Sequence, residues 1–161
     1  MNKLTYAVAA FTLSVSGWVN AAGYGVVDLD RVVQQSTYLK QQNSSLEQSV
    51  KPQTAKLEQV GKELEALQAK AQSKGANVEL INTQYQVKMK EFQTLQQDVQ
   101  VKVQSAVENT NKTFEARVRQ AAEQVRQESG VEAILVKSST LASDPKIDLT
   151  DKMIQKVNSA K

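Results

Sequence analysis

The 161-residue chain has no cysteine and no histidine, only two prolines and six glycines, and aromatic residues at just 5%. Each shortage excludes something. Without Cys or His there is no thiolate or imidazole nucleophile, no Ser-His-Asp relay, no ordinary zinc centre and no cysteine-ligated cluster. Any catalysis would have to run on carboxylates, lysine or tyrosine. Lack of Cys also removes disulfides as staples and a lipid-carrying N-terminal cysteine as an anchor. What is present is mostly Gln, Lys and other helix formers, with a hydrophobic share of 40%. That is the usage of long solvated helices rather than of a thick globular core. The length suits one domain.

The first residues read as a targeting segment. Lys3 supplies a short positive region, Leu4 to Val15 is apolar apart from Thr and Ser, and Val19-Asn20-Ala21-Ala22 offers small residues for a signal peptidase. A cleaved signal peptide over residues 1–21 is expected. The apolar run falls short of the roughly 20 residues a membrane span needs. Losing Lys3 takes the basic count from 20 to 19, against 17 acidic residues. The mature chain is then an exported protein that uses no disulfide in a compartment that permits them.

Tyr24-Gly25-Val26-Val27-Asp28-Leu29 reads as a buried strand, and Asp30 as the N-cap of a helix running from Arg31 to about Ser73. Within that helix Val50, Leu57, Leu64 and Ala71 recur every seven residues, with Leu46, Val60 and Leu67 on the alternate seam position: a coiled-coil stripe. Pro52 lies inside it, so a kink or restart is predicted there, next to the polar seam residue Gln53. Ser73-Lys74-Gly75-Ala76-Asn77 is too short a link for anything but an antiparallel partner. The second helix should reach about Glu128. Its apolar residues Ile81, Phe92, Val103, Phe114 and Val125 recur every eleven, with Tyr85, Val107 and Val118 alongside, a period that favours a straight or slightly right-handed course. Gly130 ends it. Val131 to Lys137 reads as a second buried strand, Ser138 to Ser143 as a turn and short edge strand, and Asp144-Pro145 as a loop. A closing helix, from about Leu149 to Val157 and capped by Asp148 or Thr150, puts Leu149, Met153, Ile154 and Val157 on one face.

The expected fold is therefore α+β and mostly helical. A long antiparallel coiled-coil hairpin, residues 38–129, projects from a small β-body made of 22–37 and 130–161. So small a body without disulfides or metals buries too little surface to stand alone, which predicts oligomerisation through Val26, Val27, Leu29, Ile134, Leu135 and Val136. A two-helix hairpin also covers its seam thinly. Val50, Leu57, Val60, Leu64, Leu67, Ile81, Tyr85, Phe92, Val103 and Phe114 are the candidate seam and client-contact residues. Lys70, Lys74, Lys88 and Lys90, with Glu79 the only acid from 71 to 89, form a candidate basic patch near the hairpin tip. It would attract acidic clients or anionic headgroups. Nucleic acid is not expected, because the protein reads as exported and no aromatics interleave the lysines.

Other motifs carry bland readings. Ser143-Asp144-Pro145-Lys146 has S-x-x-K spacing but no companion motifs, and Pro145 favours a loop. Glu63/Glu65 and Asp148/Asp151 read as solvation and helix-end carboxylates. Asn43-Ser44-Ser45 and Asn111-Lys112-Thr113 match the glycosylation triplet but sit in predicted helix. No catalytic, cofactor-binding or metal-binding residue is expected.

Three blocks resemble the Skp/OmpH family of periplasmic chaperones of Gram-negative bacteria. They are Gly25-Val26-Val27-Asp28-Leu29 followed by Val32-Val33-Gln34-Gln35-Ser36, the helix from Val50-Lys51-Pro52 to Leu67, and Ile134-Leu135-Val136-Lys137 with Asp148-Leu149-Thr150-Asp151. The resemblance spans 22–161, and its terminal blocks are the specific part. It implies a jellyfish-like homotrimer whose hairpins enclose a cavity, holding unfolded outer-membrane proteins without ATP, enzyme activity or cofactor. Contact with anionic lipid or lipopolysaccharide belongs to the same implication. No residue here matches a basic cluster for it, and that site is not carried over. The rival reading is a coiled-coil adaptor or spacer of an envelope assembly. If arms enclose a cavity, flexing is expected near Pro52 and Gln53, where the seam is polar.

Overall fold

The computed structural model of the protein describes residues 23–160, so the expected signal peptide lies outside the described residues. In chain order come strand β1 (Gly23–Val27), helices α1 (Leu29–Gln35), α2 (Thr37–Ala71) and α3 (Val78–Ser129), and strand β2 (Val131–Val136). Two 3-10 turns (Lys137–Ser139 and Pro145–Ile147) lead to helix α4 (Thr150–Ser159). The architecture is mostly helical, with long helices and one small strand pair, as the sequence predicts.

α2 and α3 form the hairpin. At about 1.5 Å per residue they are about 52 and 78 Å long. Cross-helix contacts run in opposite order along the two: Gln68 meets Tyr85, Glu63 meets Lys88, and Ser49 meets Lys102. The pair is therefore antiparallel. Its turn is built from local chemistry. Gly75 adopts φ 86°, open to glycine at little cost, and the Asn77 side chain accepts the Leu80 N–H at 3.1 Å to start α3. Gly130, with φ 64°, terminates α3 and sends the chain back as β2.

The out-and-back excursion of the hairpin is the crossover that a parallel strand pair requires. β1 and β2 are parallel, with Gly25, Val26 and Val27 opposite Ile134, Leu135 and Val136. The Val26 carbonyl also accepts the Leu149 N–H at 2.8 Å, tying β1 to the segment entering α4. Below the sheet, Val27, Val32, Ala121, Val125, Leu149, Met153, Ile154 and Val157 make one buried cluster. The predicted apolar face of the closing helix is thus part of the core. Gly25 is required there: a Cβ would lie 2.3 Å from the Leu149 Cδ1.

Several expectations need correcting. Leu29 is not in a strand. β1 stops at Val27, and Asp28, not Asp30, is the N-cap, its carboxylate accepting the Arg31 N–H at 3.1 Å. Asp28 is recruited because its own N–H donates at 2.9 Å to the hydroxyl of buried Thr150, a partner far away in sequence. Helix α2 runs through Pro52 without restarting. The break comes earlier, at fully buried Ser36, which has extended backbone and caps α2 by accepting the Leu39 N–H at 3.2 Å. Asn158 of α4 grips both sides of that joint, donating to the Gln35 carbonyl at 3.2 Å and accepting the Thr37 N–H at 2.9 Å. No edge strand forms between Ser138 and Ser143, where a 3-10 turn stands instead. Within the single chain Leu135 of β2 is 43% exposed. The outer side of β2 has no strand partner among the described residues.

Candidate functional site

The hairpin of α2 and α3 carries the candidate seam and the candidate basic patch. The candidate seam residues are all buried or half-buried. On α2, Val60, Leu64 and Leu67 are buried, while Val50 and Leu57 are half-buried. On α3, Ile81, Tyr85, Phe92, Val103 and Phe114 are half-buried. The Phe92 ring lies over Gly61, where a Cβ would be 3.9 Å from its Cε2. Tyr85 receives a hydrogen bond at 3.0 Å from Gln68. Phe114 packs on the body core instead of on the open arm. Most of this apolar surface is spent on holding the hairpin together, so the seam and the surface free to meet another molecule are different sets of residues.

The basic patch also divides. Lys88 is a clasp: its Nζ lies 2.7 Å from Glu63 on α2 and 2.9 Å from Glu91 on α3. The hydrogen bonds from Lys88 hold both carboxyls below their ordinary range, and Glu63 in turn raises Lys88. Lys70, Lys74 and Lys90 make no ion pair among the described residues. Near the tip, Lys70 and Lys88 flank a groove of about 480 Å³ between the helices, with Ala66, Leu67, Thr83 and Val87 on its walls. Of the residues that border it, sequence reading named Leu67, Lys70 and Lys88 and missed Val87, which falls off both apolar periods. Its seven-residue spacing from Leu80 was the signal available.

The bland readings of the remaining motifs agree with the geometry. Asp144 accepts the Lys146 N–H at 2.9 Å to shape a turn around Pro145. Asp148 accepts the Thr150 N–H at 2.8 Å, and hydrogen bonds from Thr150 lower its pKa. Asp151 pairs with Arg31 at 2.8 Å. Both glycosylation triplets lie in helices. Among the described residues no helix is long and apolar enough to cross a membrane.

Fold and arm together define a class of protein: a small α/β body from which an antiparallel helical hairpin projects, presenting surface instead of an enclosed pocket. A family model described as outer membrane protein (OmpH-like) matches residues 23–157, and the chain belongs to that family. No curated protein matches the sequence. Among solved structures, the chain is similar to an OmpH-like outer membrane chaperone candidate from Caulobacter crescentus, at a TM-score of 0.63 and 20% identity. That alignment covers 85% of this chain and 84% of the other.

Proposed function

We propose that the protein is an ATP-independent holdase of the periplasm that keeps unfolded outer-membrane proteins from aggregating before they insert. The observation that carries this reading is the arm itself, a pair of helices about 52 and 78 Å long that projects from a small body and leaves apolar residues such as Leu80, Val87 and Val101 exposed. Membership of the OmpH-like family and the description of the Caulobacter relative point the same way. Assembly follows from the body: the outer edge of β2 and exposed Leu135 invite pairing with further copies. A homotrimer would set three arms around one cavity. Each contact with a client is then weak, and many made together supply avidity without a deep pocket. Clients bind and leave by mass action, with no cofactor and no chemistry.

The test is the aggregation of a denatured outer-membrane β-barrel protein diluted with and without this protein, alongside solution mass. Stoichiometric protection without nucleotide by a trimer is the expected result. A spacer or adaptor would leave the aggregation unchanged.

A further inference from the structure

Leu80, Val87 and Val101 are 55%, 63% and 56% exposed. They recur every seven residues with one place vacant, and that place is Thr94. The Thr94 hydroxyl is turned back onto the Lys90 carbonyl at 3.0 Å, which satisfies the oxygen locally. Thr83 does the same to the Glu79 carbonyl at 3.0 Å. A period of seven drifts only about 20° per repeat on a straight helix. The four residues therefore share one side of α3 for about 31 Å, flanking the seam that Ile81, Tyr85 and Phe92 line, and at Val87 that side opens onto the groove beside Leu67.

We infer that this stripe, edged by Lys70 and Lys90, is the surface that holds clients, and that its occupant is an extended unfolded segment with apolar side chains and acidic residues among them. The proposal rests on the holdase reading and gives it a location different from the seam. Two observations select the occupant. A partner helix would need apolar residues at the alternate seam position as well; there the stripe has Thr83, Lys90 and Gln97. Such a pattern suits an extended chain, whose side chains meet the apolar sites while its unpaired backbone and acids meet the polar ones. The charge is complementary along the middle of the stripe, since Lys70 and Lys90 have no acidic partner among the described residues. Glu79, which borders Val87 and Thr83, and Asp98 mark its two ends, where the preference for acids should fade.

The full chain carrying Leu80→Ser, Val87→Ser and Val101→Ser together should keep the parent's helical content and melting, because exposed sites tolerate such changes. It should protect a denatured β-barrel protein at least tenfold less effectively. A photo-crosslinking residue at position 87 should capture client, and one at exposed Gln93 should not. Full protection by the triple variant, or equal capture at the two positions, overturns the stripe. So does capture at position 87 of a second copy in place of added client. If the parent itself fails to protect, the holdase reading is what has failed. If the triple variant does not fold, the crosslinking comparison decides alone.

Discussion

The distal and middle stretches of the arm use the same two helices and much the same residues, yet they pack differently. Near the tip, α2 buries Val60, Leu64 and Leu67, Phe92 sits over Gly61, and Lys88 clasps Glu63 and Glu91. From Thr37 to Gln59, α2 buries no side chain, although Leu46, Val50 and Leu57 continue the heptad. The middle seam admits polar groups instead. Lys102 of α3 reaches across to the Ser49 carbonyl at 2.6 Å and to the Gln53 amide oxygen at 3.3 Å. A groove of about 220 Å³ opens beside Leu46 and Val107. An apolar period on one helix does not by itself make a dry seam. The facing residues must be small or apolar in register, and only the distal stretch has both. Local opening should then be cheapest in the middle, close to the polar position that the sequence marks at Gln53.

Truncation should expose this difference most strongly. Leu64→Ala removes a buried side chain and leaves a cavity, for about 2–4 kcal/mol. Val50→Ala, at a half-buried site beside a polar clasp, should cost about 1 kcal/mol or less. Denaturant unfolding of both variants measures the gap, and equal losses would mean the two stretches are packed alike.

A smaller effect of opposite sign is expected at Gly61. It lies in a helix interior with ordinary backbone, and an added Cβ meets the Phe92 ring at 3.9 Å, an ordinary contact. Gly61→Ala should therefore stabilise the distal arm by about 0.5–1 kcal/mol through reduced freedom of the unfolded chain. A lower melting temperature would show that the ring needs the missing methyl's space. Gly25→Ala makes a useful contrast, because there the added atom runs into Leu149 in the core.

How far these features were legible depends on where their causes lie. Gly75, Asn77 and Gly130 could be read directly, because a positive φ and an N-cap are properties of a few consecutive residues. The apolar face of α4 was legible for the same reason, as a short and strongly periodic pattern. Ser36 was not. Helix formers run on either side of it, and the break is stabilised by Asn158 from the far end of the chain. Asp28 was chosen over Asp30 by Thr150, again a distant partner. On the arm, periodicity named the seam residues, but it could not say that Lys88 is consumed by a clasp, since that depends on the register between α2 and α3. Of the two outcomes expected at Pro52, the restart does not occur. A helix loses one backbone donor at proline, yet a long coiled-coil helix can carry that loss without breaking.

The smallest predicted effect concerns that clasp and acid. Glu63 and Glu91 both titrate below their ordinary range because each accepts a hydrogen bond from Lys88, so the folded state binds protons less readily than the unfolded chain. The clasp's contribution is complete above the unfolded carboxylate range, around pH 4.5, and is lost as pH falls through the lowered folded-state values. Lys88 moves the other way. Its raised pKa keeps its part of the contribution present at neutral pH and removes it only in strong alkali. With no histidine in the chain, no side chain of ordinary pKa titrates between about pH 5.5 and 8, so stability should be nearly flat across that span. Asp28 and Asp148 are lowered as well, and the body will therefore weaken in acid on its own account. Comparing the parent with Lys88→Met cancels that background. The parent should be the more stable at pH 7 and lose its advantage by about pH 3. A difference that persists unchanged into acid would assign Lys88 a packing role, and the distal arm would then owe its tightness to Val60, Leu64 and Leu67 alone.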